Sequence, residues 1–347
     1  VFRLQILRHD PVNAERGNEM EKKFDVIGFG DPFQDLDIQL SKLPETNVNM
    51  RMNDYCFMGG GNVPTAMVAA ARLGLKSSIL GVVGDDMLGR LATADFTYNH
   101  VDTSHLKVAA GKRTNFCLCV AEQEIDGKEF ISKPGDFDPL TPSDLDRDYI
   151  QSAKALHIGQ FTPAIIKACE WMHEAGGVVS IDAAYYRPDI YENYRHLDIF
   201  IGSETYYNVM CQTEGYTGGR ADIRRVLRAI QSQGPKTVIF TFGADGCIGL
   251  CGDEFFEVPA FKVKAVDSTG AGDVFHGAYI YAWLQGWDAK TCCRFCSGVS
   301  AIKCTRPGGR SGIPTLPILE KFLATGEIDG TELDERVQHY KYGLLNA

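Results

Sequence analysis

Asp267-Ser268-Thr269-Gly270-Ala271-Gly272-Asp273 joins three small residues to an acid where the apolar run Val274 to Leu284 begins. The spacing predicts a tight turn whose N–H groups stay free at a helix start, and such a start binds negative charge. Asp273 falls in the first helical turn, beside the place where an anion would be held. Its carboxylate could there take a proton from an attacking hydroxyl. An anion hole with an adjoining base is the pairing that phosphoryl transfer needs. The structural alternative is a glycine turn with an acidic helix cap, common in α/β proteins.

Near the N-terminus, Phe24-Asp25-Val26-Ile27-Gly28-Phe29-Gly30 reads as a buried strand leading to Asp31 and Asp35. Gly59-Gly60-Gly61-Asn62 then opens a predicted helix, Val63 to Leu73. Together with the heptapeptide, these segments resemble the ribokinase-like (PfkB) carbohydrate kinases. Further matches follow in the family's order. Thr241-Phe242-Gly243-Ala244-Asp245-Gly246 is similar to its nucleotide-side strand and turn, and Cys304-Thr305-Arg306-Pro307-Gly308-Gly309 to the loop closing over the nucleotide. The resemblance spans roughly Phe24 to Leu323 and rests on several motifs in one order.

The resemblance implies a site. Asp273 becomes the general base, and Gly270, Ala271 and Gly272 the donors to the transferring phosphate. Asp31, Asp35 and the Gly59-Gly60-Gly61 turn would hold sugar hydroxyls; the family spacing favours Asp35, with Asp31 capping backbone groups as the alternative. Arg113, at the start of the second lid hairpin, could reach an anionic substituent, or be an ordinary solvated arginine. Thr241, Gly243, Gly246, Thr269 and Gly308 fall on the nucleotide side. Asp267 and Thr269, with carbonyls near Gly308 and Gly312, match a loop pair that holds a monovalent cation in many relatives, so ATP, Mg²⁺ and K⁺ are the implied cofactors.

Some positions depart from the family. Where many relatives carry Asn-x-x-Glu, this chain has Ser203-Glu204-Thr205-Tyr206, leaving Glu204 as the candidate Mg²⁺ carboxylate. Magnesium would then be held mainly by nucleotide phosphates and water, which its reluctance to dehydrate permits. Pro64 and Phe33 stand where relatives with ribose-type substrates have Asn. The pattern looks more like kinases of ketoses and modified hexoses. A nucleoside kinase is the competing reading, with Phe33, Phe57, Tyr185 and Tyr186 as residues that could stack on a base. A sugar sensor without catalysis is another, which the intact Asp273 disfavours. Gly28-Phe29-Gly30 lacks the third glycine of a dinucleotide fingerprint, and no G-x-x-x-x-G-K-[ST] occurs.

The resemblance implies a doubly wound, mostly parallel sheet flanked by helices, with a small antiparallel β lid, to position these residues. Apolar runs at Ser77–Val83, Ala155–Ile158, Val178–Asp182, Ile199–Ile201 and Thr237–Thr241 alternate with helical stretches such as Ala164–Ala175, the signature of that sheet. Cys247–Leu250 and Phe255–Val258 read as a hairpin. Asp35–Leu40 with Met52–Phe57, and Asn115–Ala121 with Glu129–Ser132 across Asp126-Gly127, break the alternation as short antiparallel strands. In the resembled family such strands (about 35–57 and 114–132) cover the sugar and exclude water. Their outer face often pairs with a second subunit, so a homodimer through the lid is an expectation; two surface hairpins are the alternative.

With 347 residues the chain suits one large domain, placed at 20–330, and a tail at 331–347. The polar, aperiodic stretch 1–19 precedes Met20 and reads as a non-native or disordered extension, from an early start site or a leader. Lys+Arg 35 against Asp+Glu 45, a net charge of −10, disfavours nucleic-acid and anionic-membrane binding. No apolar run approaches the roughly 20 residues of a spanning helix. Eleven scattered cysteines fit buried thiols in a reducing cytosol, and a cytoplasmic location follows. Cys293-Arg294-Phe295-Cys296, inside a predicted helix, reads as core packing rather than a metal or redox pair.

Overall fold

The computed structural model describes residues 22–43, 46–122 and 127–343, so the extension 1–19 and Asp126 lie outside the described residues. In chain order the strands are β1 (Phe24–Phe29), β2 (Phe33–Leu40), β3 (Asp54–Gly60), β4 (Ser77–Gly84), β5 (Leu106–Ala109), β6 (Asn115–Glu122) and β7 (Gly127–Lys133). They continue with β8 (Ala153–Ile158), β9 (Val178–Ala183), β10 (Ile199–Ser203), β11 (Thr237–Thr241), β12 (Cys247–Cys251) and β13 (Glu254–Val258).

Nine strands form one sheet in the order β13-β12-β11-β10-β9-β8-β1-β4-β5. All neighbours from β11 to β5 run parallel, and the β12–β13 hairpin adds the antiparallel edge. Both faces are covered, so its strands read as apolar runs: Val26 enters one core and Ile27 the other. Helices Asn62–Arg72 and Ala271–Leu284 share one face and touch, since a Cβ on Gly277 would lie 2.1 Å from the Ala66 carbonyl oxygen. Their N-termini therefore converge on one end of the sheet.

The lid is a separate sheet, β3-β2-β6-β7. It consists of two antiparallel hairpins whose inner strands, β2 and β6, run parallel. That register sets Asp35 opposite Cys117 and Asp37 opposite Cys119, and the two acids share a face by the period-two pleat. Gly59 and Gly60 belong to β3 and pair with Gln34 and Phe33, so the glycine turn continues the lid into the Asn62–Arg72 helix.

Beyond residue 330, helix Thr331–Gln338 and the turn His339–Gly343 bury Leu333, Arg336 and Tyr340, so the segment set apart as a tail is built into the body. Among the described residues no helix is long and apolar enough to cross a membrane. All eleven cysteines are free thiols, and Cys293 and Cys296 are fully buried within helix Ala289–Lys303.

Candidate active site

Gly270 caps the Ala271–Leu284 helix at φ 74°, ψ 2°, a left-handed conformation that glycine adopts freely. A Cβ here would also lie 2.8 Å from the Gly309 carbonyl oxygen. Asp267 ties this turn to the facing loop: one carboxylate oxygen accepts the Thr269 N–H at 2.8 Å and the other the Gly308 N–H at 2.7 Å. Gly272 differs. It is exposed, and a Cβ there would meet no protein atom within 4 Å. Asp273 stands half-buried in the same helical turn. Burial, and then the charge of Asp182, push its carboxyl up to about 6 against the pull of His276, Arg310 and Lys303.

Asp35 reaches this place from the lid. A Cβ on Gly60 would lie 2.2 Å from either Asp35 carboxylate oxygen, so the strand must be glycine where Asp35 lies across it. Burial, then Asp37, Cys117 and Asp273, raise the Asp35 carboxyl well above the usual range, against the pull of Arg310. Arg310 is fully buried. Its guanidinium donates to Asp95 Oδ2 at 2.5 Å, to Thr65 Oγ1 at 3.1 Å and to the Gly60 carbonyl at 3.0 Å. Asp95 Oδ2 also accepts the Gly59 N–H at 3.1 Å. Its other oxygen accepts from Tyr340 Oη and Asn99 Nδ2, each at 2.8 Å. Arg336 in turn donates to the Arg310 carbonyl and to Asn99 Oδ1, both at 3.0 Å.

Other expected residues fall elsewhere. Asp31 accepts the Val82 N–H at 2.8 Å, the backbone-capping alternative. Arg113, its side chain 68% exposed, pairs with Asp136 at 3.1 Å on the surface. Tyr186 donates to Glu214 at 2.6 Å and packs on Tyr191 and Tyr206, which commits it to an aromatic cluster.

Beneath Asp273 lies a buried pair that sequence reasoning missed: His276 Nε2 sits 3.2 Å from Asp182 Oδ1. Asp182 is the penultimate residue of strand β9 and also accepts from Asn62. Burial, the largest influence, would raise the Asp182 carboxyl, but His276, His157 and the Asn62 hydrogen bond together hold the group below its ordinary value. Two signals were available: an acid at a strand end, and a histidine three residues after the base.

Around the turn expected to face the nucleotide, a cavity of about 340 Å³ is lined by Glu204, Tyr207, Asn208, Phe242, Asp245 and Glu257, among others. Thr241 ends β11 at its rim, and Gly243 (φ 51°) with Gly246 (φ 93°) shapes the next turn. A Cβ on Gly246 would lie 2.1 Å from the Val258 carbonyl oxygen. The departure at Ser203-Glu204-Thr205-Tyr206 has a packing reason. Ser203 caps its helix by accepting the Tyr206 N–H, and Tyr206 is fully buried, its Oη 2.5 Å from that of Tyr194. Only exposed Glu204 faces the cavity, which suits a hydrated Mg²⁺ needing one or two carboxylates.

The residues expected to hold K⁺ do not fit a free cation. The Asp267 carbonyl accepts the Lys303 ammonium at 2.9 Å, and both Asp267 carboxylate oxygens are engaged with backbone. Gly312 packs on the Lys303 carbonyl, where a Cβ would lie 2.2 Å away.

A doubly wound sheet with a lid, an anion-binding helix start and a carboxylate beside it defines a phosphotransferase with an alcohol acceptor. Residues 25–316 match the profile of the pfkB family carbohydrate kinases, and the chain belongs to that family. It is similar to a nucleoside kinase of Methanothermobacter thermautotrophicus, 24% identical, covering 88% of this chain and 97% of that one. A 5-dehydro-2-deoxygluconokinase of Geobacillus kaustophilus is 27% identical over 76% of this chain and 84% of its own. Among solved structures, a ribokinase of Thermotoga maritima superposes with a TM-score of 0.76 at 21% identity, covering 87% of this chain and all of its own. An Arabidopsis thaliana ribokinase complexed with ribose and ATP gives 0.76 at 20%, over 88% and 99%.

Proposed function

We propose that the chain transfers the γ-phosphoryl group of ATP to a primary hydroxyl of a ketose or modified hexose, with Asp273 as general base. The observation that carries this is the placement of Asp273, half-buried at the open helix start beside Gly272 and within electrostatic reach of Asp35. In the reaction the acceptor hydroxyl gives its proton to Asp273 as its oxygen bonds to the γ-phosphorus. The bond to the β-phosphate oxygen breaks and ADP leaves. The N–H groups at Gly270 and Gly272 would receive the phosphoryl oxygens, while that of Ala271 donates to the Ser268 carbonyl at 3.1 Å and shapes the turn. Asp35 would hold acceptor hydroxyls, and the lid would exclude water. Mg²⁺, bound with the nucleotide near Glu204, would supply charge neutralisation.

The similarity to 5-dehydro-2-deoxygluconokinases supports the modified-hexose acceptor. The similarity to a nucleoside kinase supports a nucleoside acceptor as a second reading. Tyr55, Phe130 and Ile131, each more than half exposed on the lid, support a lid-to-lid homodimer. Free thiols throughout support a reducing compartment, the cytoplasm. A panel of ketoses, aldoses, sugar acids and nucleosides scored by Mg²⁺-dependent ADP release is the test. Release with a ketose or modified hexose is expected; release only with nucleosides selects the second reading, and none at all overturns both.

A further inference from the structure

Lys303 is the last residue of helix Ala289–Lys303 and is 0% exposed. A buried ammonium must find oxygen acceptors, because burying a charge without partners is costly. One acceptor is the Asp267 carbonyl, at 2.9 Å. Of the four residues matched to a monovalent-cation loop pair, Asp267 and Gly312 touch Lys303 itself, and Thr269 and Gly308 are tied to the Asp267 carboxylate. The same helix braces the anion turn, since Ser300, one turn earlier, donates to the Ala271 carbonyl at 2.8 Å.

Resting on the kinase reading above, we infer that the Lys303 ammonium is a built-in monovalent cation: it holds the loop pair closed behind the anion-binding turn and makes nucleotide binding and turnover independent of K⁺. Three acidic residues feel this charge or bind it. Asp267 supplies its carbonyl, while Asp37 on β2 and Asp273 at the helix start are each drawn toward their ionised forms by Lys303. A basic residue at this helix end is also favoured by the helix dipole. Because the ammonium is covalently attached, it costs no binding step and cannot be lost by dilution of salt.

The test compares KCl with tetramethylammonium chloride at equal ionic strength. ATP affinity is read by calorimetry without acceptor, and ADP release with an acceptor from the panel. Wild type is expected to agree between the salts within about twofold in both readings. Lys303→Met, of similar length and uncharged, should lose about tenfold or more in tetramethylammonium and recover on addition of KCl. Activation of the wild type about tenfold by K⁺ overturns the inference. So does a folded Lys303→Met that is unchanged in the organic salt, or one that KCl does not rescue. If that variant fails to fold, the wild-type salt comparison still decides. A failed kinase reading would show separately, as no ADP from any acceptor while the salt comparison of ATP affinity remains readable.

Discussion

At Gly59 and Gly60 the missing Cβ leaves room for the protein's own charged groups, whereas at Gly272 it leaves room for nothing that the protein supplies. A Cβ on Gly59 would lie 2.1 Å from Arg310 Nη1, and one on Gly60 2.2 Å from Asp35, but one on Gly272 would touch no protein atom. Both stretches open helices on one face of the sheet. Gly59 and Gly60 are glycine because folding demands it, as it also does at Gly270, whereas the open space at Gly272 is what an incoming phosphate would need. Identical residue types thus carry opposite vulnerabilities: stability at one turn, turnover at the other.

The largest break should come at the base. Asp273→Asn is expected to lower turnover by roughly 10²–10⁴ while leaving ATP affinity nearly unchanged. With the Asp273 carboxyl near 6, wild-type kcat/KM should fall about tenfold per pH unit below that value and level off above it. Turnover within a few-fold of wild type, or a profile flat down to pH 5, would remove Asp273 from the role.

The two turns are then compared directly. Gly272→Val should keep its melting temperature and lose about a hundredfold or more in turnover, because the side chain enters the phosphate's space. Gly59→Ala should instead cost about 1–3 kcal/mol through overpacking against Arg310, a shift of several degrees in Tm. Thermal melts paired with ADP release check both, and the contrast collapses if both variants melt early.

Asp35→Ala sharpens the assignment of the first turn. It should raise the acceptor KM by about tenfold while changing the ATP KM by less than about twofold. Equal changes in both constants would move Asp35 out of the acceptor pocket.

The smallest expected effect concerns stability. Because the folded-state pKa of Asp273 lies above the ordinary 3.8, the native state binds its proton more tightly than the unfolded chain. The stability this contributes is present below about pH 4 and lost as pH rises through about 6. Asp273→Asn has no such loss, so its Tm should match wild type at pH 4 and exceed it by about one or two degrees at pH 7.5. An equal or lower Tm at pH 7.5 would mean that the carboxylate is not strained by its burial.

Much of this was readable from the chain. Parallel strands buried on both faces show as apolar runs such as Phe24–Phe29, and the heptapeptide from Asp267 declares both turn and base. Positions whose role depends on distant partners were not readable. Arg310 and Asp95 stand 215 residues apart, and nothing local marks either as half of a buried pair. Lys303 ends a helix, where a lysine ordinarily caps carbonyls in water, and only the folding of the Gly312 loop over it shows that it is enclosed. Ser203-Glu204-Thr205-Tyr206 reads only as a departure from the family, and that Tyr206 packs against Tyr194, Phe200 and Phe240 emerges only once strands β10 and β11 bring their rings together.

The bond from Tyr340 to Asp95 has a consequence for how the molecule is made. Those residues are 245 positions apart, so a ribosome adding about 5–20 residues per second needs roughly 12–50 s to supply the second after the first. Arg310 follows Asp95 only after 215 residues and Tyr340 only after 245, and until they arrive the carboxylate stays in water rather than enter the core. The Gly59 turn that leans on Asp95 is therefore set last, although it lies in the first fifth of the 347-residue chain. The buried network under the lid is therefore complete only once Tyr340, just after helix Thr331–Gln338, is free to dock.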